Sequence, residues 1–231
     1  MKNIFFLLVV ITLLFNSCKQ QKLEYLYSDK DDLVACSSGG DMELIKEAVY
    51  TFEDYISKHY TFLGNTVAEG YNNYLKLLIN NRPPAKEFFN DHLKEVVNVL
   101  KNDKDLWTSK GTRLRLNYHN ELVNCIIENI QDQEMNTTID VLSSSGTLTT
   151  EVLGPVLYTK RHLMAKKDRA LATYVALDMF YTKLIQMSAP DYVEEQKENG
   201  LIYNVDPENL TKLGTVKKNK KTKTKQDSLK Q

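Results

Sequence analysis

Glycine and proline are scarce, nine and five in 231 residues, and with 42% hydrophobic and 26% charged residues this excludes a collagen-like or largely unstructured chain. Cysteine is also scarce, with three residues, and none sits in a Cys-x-x-Cys, which removes the common redox, zinc and c-type haem motifs. The four histidines, His59, His92, His119 and His162, are scattered, and no His-Glu-x-x-His or Glu-x-x-His brings one into a metalloprotease or di-iron pattern. There is no Gly-rich phosphate loop and no Gly-x-Ser-x-Gly elbow. An excess of charge of one sign is absent from the total, 30 basic against 30 acidic residues. That balance hides an asymmetry. Seven lysines lie in Lys217–Gln231 and one is Lys2, so Lys19–Val216 holds 22 basic and 29 acidic residues and forms an acidic body with a basic tail.

A long apolar run occurs at the N-terminus, where Ile4 to Phe15 is interrupted only by Thr12 and is preceded by Lys2. Twelve helical residues rise about 18 Å, short of a bilayer core of about 30 Å, so a secretory signal fits better than a spanning helix. The small Ser17 stands directly before Cys18. This ending resembles the lipobox of bacterial lipoproteins, although Phe15 replaces the usual Leu and Asn16 the usual small residue. The resemblance implies cleavage before Cys18, lipid on its sulfur, and a protein tethered to the cell envelope, with Lys19 compatible with the periplasmic face of the outer membrane. Acyl chains contribute about 0.8 kcal/mol per buried CH₂, and several together anchor stably.

The remaining chain divides by composition. Residues 1–17 read as signal peptide, 18–40 as lipidated cysteine plus flexible spacer, 41–215 as a helical domain and 216–231 as a Lys-rich disordered tail. Asp41 is placed to cap a first helix whose Ile45, Val49, Phe52 and Ile56 form one stripe, with Glu43, Lys46, Glu47, Glu53 and Lys58 on the other face. Val67, Tyr71, Tyr74 and Leu78 predict a second helix despite Gly70, ended by Asn80, Asn81, Pro83 and Pro84. Pro84 opens a third, with Phe89, Leu93, Val96 and Leu100 as its stripe. Lys104–Leu116 has no clear period, and Trp107 reads as a cap on the core. A fourth helix spans Asn117 to about Asp132, a short one Thr137–Leu142, another follows Thr149 or Thr150 with Pro155 kinking or starting it, and the last runs from Asp168 to about Ser188. Six or so amphipathic helices with short connections predict an all-α, up-and-down helical bundle. No fixed-length repeat recurs.

Candidate chemistry is sparse. Cys36 and Cys125 form a possible disulfide in an oxidising compartment, or remain as two thiols, Cys125 lying in an apolar stripe. Arg113, Arg115, Tyr118 and His119 form a possible anion-binding cluster, since guanidinium forks pair with carboxylate or phosphate; the alternative is a loop beside the outer face of the fourth helix. Asp91, His92 and Glu95 lie on one helix, and Glu87, Asp91 and Glu95 share a face that reads as solvated and acidic rather than as a metal site. No pattern calls for a catalytic residue, a metal or a cofactor. Asp227-Ser228-Leu229 resembles a short O-glycosylation acceptor of some exported proteins. The thirteen tyrosines suit either partner-facing surfaces or a core with polar tips. These observations predict a noncatalytic, membrane-anchored envelope component that binds another envelope protein or polymer and no nucleic acid. The alternative is a helical domain holding a small ligand or metal, with an enzyme third.

Overall fold

Seven helices begin in the same way, with a short polar side chain accepting a backbone N–H two or three residues on. The structure, a computed structural model, describes residues 23–187 except 38, 39, 63, 65, 83, 111 and 112. The helices are α1 (Met42–His59), α2 (Val67–Ile79), α3 (Asp91–Asn102), α4 (Glu121–Glu128), α5 (Gln133–Ser144), α6 (Thr150–Met164) and α7 (Arg169–Tyr174). Their caps are Asp41, Thr66, Asn90, Asn120, Asp132, Thr149 and Asp168. The chain continues from α7 without leaving helical backbone through a π-helical segment, Val175–Tyr181, into α8 (Thr182–Met187). The described part is thus mostly helical.

Two helix ends use left-handed residues. Asn81 (φ 53°) follows α2, with Asn81 N–H on the Leu78 carbonyl and Arg82 N–H on the Leu77 carbonyl; Gly146 (φ 68°) ends α5 with the same bonds to Ser143 and Leu142. Gly70 has another purpose. A Cβ there would lie 2.9 Å from the Ile56 backbone carbon and oxygen, so its absence lets α1 and α2 cross at close range.

The core gathers around α1, whose Ile45, Val49, Phe52 and Ile56 are all buried. The helix packs against α2, α3, α7 and the π-helical segment, and α2 packs in turn on α6. Phe52, Tyr71, Tyr74 and Phe180 interlock there, with ring centroids 4.7–5.6 Å from Phe52. Tyr74 donates to the Met179 carbonyl (2.8 Å), Thr182 to that of Leu177 (3.1 Å), and Tyr181 to that of Ala48 (2.8 Å).

The structure departs from sequence expectation in five places. Lys104–Leu116 contains an antiparallel hairpin, β1 (Trp107–Lys110) and β2 (Arg113–Leu116), pairing Trp107 with Leu116 and Lys110 with Arg113. Trp107 does cover the core, and its indole N–H donates to the last-turn carbonyl of Leu100 in α3 (2.7 Å). Asn117–Asn120 precede α4 rather than belonging to it, because Asn120 takes the cap, and Asp132 then starts α5 well before Thr137. Pro84 does not start α3: Lys86–Phe88 is a 3₁₀ turn and Asn90 is the cap. Of the two readings of Pro155 the structure excludes the helix start, since Pro155 lies inside α6. Finally, residues 23–37, read from composition as spacer, lie along the body as a strap with Leu23, Leu33 and Val34 buried.

Candidate functional site

Arg113 and Arg115 belong to β2, two residues apart, with Tyr118 just beyond it. The Tyr118 hydroxyl turns inward to lie 3.3 Å from that of Tyr174, which donates to Asp178 Oδ2 at 2.8 Å. Burial pushes the Asp178 carboxyl above its usual range; hydrogen bonds from Tyr174 and Tyr118, the charge of Arg115 and the Leu116 N–H pull the other way without cancelling it. Burial likewise raises both hydroxyls far above the ordinary tyrosine value, so they stay neutral donors. The carboxyl that Arg115 and Tyr118 act on is the chain's own Asp178. His119 is exposed, its backbone N–H on Asn117 Oδ1, and does not join them. The Asp178 cluster fastens the hairpin to the π-helical segment.

Cys36 and Cys125 are joined by a disulfide, with Cα atoms 6.0 Å apart, that fixes the C-terminal end of the strap to α4. The rest of the strap is held by groups on α1. Glu47, 1% exposed, accepts from Leu26 N (2.9 Å) and Tyr27 N (2.9 Å) and meets His92 Nε2 of α3 at 2.7 Å. Lys46 donates to the Ser28 carbonyl and to Asp32 and Glu43, each at 3.2 Å, and Tyr50 donates to the Asp31 carbonyl at 3.0 Å. His92, grouped by sequence with Asp91 and Glu95, instead turns to Glu47, while Asp91 pairs with Lys94.

A second buried charge pair crosses the core. Arg169 reaches Glu53 Oε1 at 2.6 Å and Oε2 at 3.0 Å, and Tyr71 donates to the same carboxylate at 3.0 Å. The guanidinium also donates to the Met164 carbonyl at 3.0 Å and lies 5.5 Å from the Tyr50 ring centroid. Burial lowers the pKa of Arg169, but its hydrogen bonds and charge contact with Glu53 outweigh that and hold it above the ordinary arginine value.

Sequence reasoning missed Glu47, Glu53, Arg169 and Asp178. No motif announces them: each is one charged residue inside an otherwise ordinary helical pattern.

A groove of about 220 Å³ lies along α3 and α8, lined by Phe89, Leu93, Lys94, Val97, Asn98, Lys101 and Leu184. Among the described residues no group of three or more His, Cys, Asp or Glu side chains is placed to hold a metal ion, and no helix is long and apolar enough to cross a membrane. Cys18, the Lys-rich tail and Asp227-Ser228-Leu229 lie outside the described residues. Comparison with protein-family models, curated proteins and solved structures finds no match to this chain.

Proposed function

We propose that the chain is an exported lipoprotein, anchored to the cell envelope by lipid on Cys18, whose helical body binds another envelope protein or polymer without catalysis. One observation carries this reading: an apolar run too short to span a membrane ends in Ser17-Cys18. The bond between Cys36 and Cys125 adds support, because disulfides persist mainly in oxidising compartments, where exported proteins reside. In this reading the helices form an up-and-down bundle, the body faces the periplasm from the outer membrane, and the lysines of 216–231 form a flexible basic tail. The buried polar groups described above are engaged within the chain, which favours a contact surface over an internal reaction chamber.

The test is to feed cells an alkyne-bearing palmitate and probe the tagged full-length protein. Wild type takes up label and sediments with membranes, whereas Cys18→Ser takes up none and leaves them. Equal labelling of both rejects the anchor. Crosslinking in intact cells then tests the binding role. A defined protein or polymer captured by wild type, and lost with Cys18→Ser or truncation after Val216, supports it; capture of nothing by any version rejects it.

A further inference from the structure

The strap, which itself forms no regular secondary structure, is clamped at one end by a covalent bond and elsewhere by side chains of α1. Its backbone lies against α1 through Leu26 N and Tyr27 N on Glu47, Ser28 O on Lys46 and Asp31 O on Tyr50. Each is a single hydrogen bond, and Lys30 in the intervening turn is exposed. The disulfide that closes the clamp is not enclosed. Both cysteines are half-buried, and Cys36 lies between the exposed Ala35 and Ser37. The two sulfurs differ in surroundings. Asn129 Nδ2, one turn beyond Cys125 on α4, donates to the Cys125 carbonyl at 2.9 Å and lies 3.5 Å from Cys125 Sγ. An amide N–H facing a sulfur favours negative charge on it.

We propose that Cys36–Cys125 is a thiol–disulfide exchange site that takes an external dithiol, with Cys36 the sulfur attacked and Cys125 the leaving thiolate, and that its reduction releases the strap from the body. A thiolate of the dithiol attacks Cys36 Sγ; the Sγ–Sγ bond breaks and its electron pair leaves on Cys125, beside the Asn129 amide. The dithiol's second thiolate then attacks its own sulfur in the mixed disulfide and expels Cys36. Two electrons and two protons pass to the protein, giving two thiols, and the dithiol becomes a disulfide. Without the covalent clamp the strap is held by the α1 contacts and three buried apolar side chains, Leu23, Leu33 and Val34. Release then takes Leu26 and Tyr27 from Glu47 and leaves that carboxylate with His92. The inference goes beyond the lipoprotein reading and does not depend on lipid at Cys18.

Two measurements on purified full-length protein test it. First, the monothiol glutathione is added and the mixture quenched with an alkylating agent, then mapped by mass spectrometry. Glutathione on Cys36 with alkyl on Cys125 is expected; the reverse placement overturns the assigned direction. Asn129→Ala should slow reduction by dithiothreitol several-fold, and an unchanged rate argues against the assisted leaving sulfur. Second, amide hydrogen exchange is compared before and after reduction. Leu26 and Tyr27 should exchange at least tenfold faster while the α1 and α2 amides keep their protection. Unchanged exchange at Leu26 and Tyr27, or loss of protection throughout the domain at once, overturns strap release.

Discussion

Replacing Glu53 by Gln leaves Arg169 in place with its charge unanswered. The two side chains are 7% and 19% exposed, so water can solvate the abandoned guanidinium only in part. Arg169 is also held by the Met164 carbonyl and the Tyr50 ring, and swinging out to solvent would break both contacts. The substituted amide keeps an acceptor for Tyr71, so the loss falls mainly on the charge pair. Removing one partner of a buried pair costs about 3–5 kcal/mol, a large fraction of the 5–15 kcal/mol by which ordinary domains are stable. With a urea slope of about 2 kcal/mol/M for a domain of this size, the midpoint should fall by roughly 1.5–2.5 M. The assay is urea unfolding followed by far-UV circular dichroism on wild type, Glu53→Gln, Arg169→Met and the double variant. Once one partner is absent the other has little left to lose, so the double variant should be more stable than the sum of the singles implies, by about 2 kcal/mol or more. Additive singles, or singles each costing under about 1 kcal/mol, would show that the pair is solvated or expendable and would refute the argument.

Gly70→Ala gains about 1 kcal/mol of helix propensity but places a Cβ 2.9 Å from rigid Ile56 backbone, so a net loss of about 1–2 kcal/mol is expected in the same urea assay; a stabilised variant would mean the helices separate freely. His59, whose ring stacks on Phe88 with centroids 4.4 Å apart, is pushed below its ordinary pKa of 6.5 by burial. The unfolded chain therefore takes the proton first, so His59's contribution is complete above about pH 6.5 and declines as pH falls below it. His59→Phe should flatten the urea midpoint between pH 7 and pH 5 relative to wild type, and superimposable profiles would exclude the effect. Cys36→Ser with Cys125→Ser opens a loop spanning 89 positions, which the chain-entropy account values at about 4–5 kcal/mol, so the melting temperature should drop by about 10–15 °C; a drop under about 3 °C would show that the strap contributes little to closure.

Three helix starts were legible because their signal is local. Asp41 and Asp168 could be read from the residue alone and Thr149 as one of two adjacent threonines, and each caps as its chemistry requires, whereas the Asn90, Asn120 and Asp132 caps were not read. The Ile45, Val49, Phe52 and Ile56 stripe was equally readable. The hairpin escaped notice because its strands are four residues each, too short to show a period, although Leu114 and Leu116 alternate and Gly111-Thr112 lies between the strands. The buried charges were misassigned for a different reason. A stripe fixes one face of a helix and leaves the opposite face to be read as solvated, which holds for a helix with neighbours on one side. α1 has α2, α3, the last helices and the strap around it, so Glu47 and Glu53 face protein instead of water. Charge on the apparent outer face of a central helix carries no local mark that tells the two cases apart.

The tyrosines resolve in the same way once their hydroxyls are followed. Tyr74 and Tyr181 are buried, yet neither oxygen is idle, since Tyr74 meets the Met179 carbonyl in the π-helical segment and Tyr181 the Ala48 carbonyl in α1. Tyr71 serves Glu53, Tyr174 serves Asp178, and Tyr55 and Tyr60 meet each other at 3.1 Å with the Ala85 carbonyl also accepting from Tyr55. An aliphatic core could fill the same volume, but it would offer no donor to the Met179 carbonyl or to the Glu53 and Asp178 carboxyls. A tyrosine supplies both an apolar body and one donor at a fixed reach, so it packs and pins at once. The pins from Tyr71 to Glu53, Tyr74 to Met179, Tyr181 to Ala48 and Tyr55 to Ala85 join elements that regular backbone hydrogen bonding cannot join, because helices satisfy their own amides and leave nothing to bind a neighbour, whereas Tyr174–Asp178 and Tyr55–Tyr60 stay within one helical run. On this account the abundance of tyrosine follows from building a large core out of helices that carry charge inside. Tyr74→Phe, which removes only the donor to Met179, should therefore cost about 1–3 kcal/mol with no change in packing volume. A neutral Tyr74→Phe in urea unfolding would mean that the π-helical carbonyl finds another donor and that the ring alone is what the core requires.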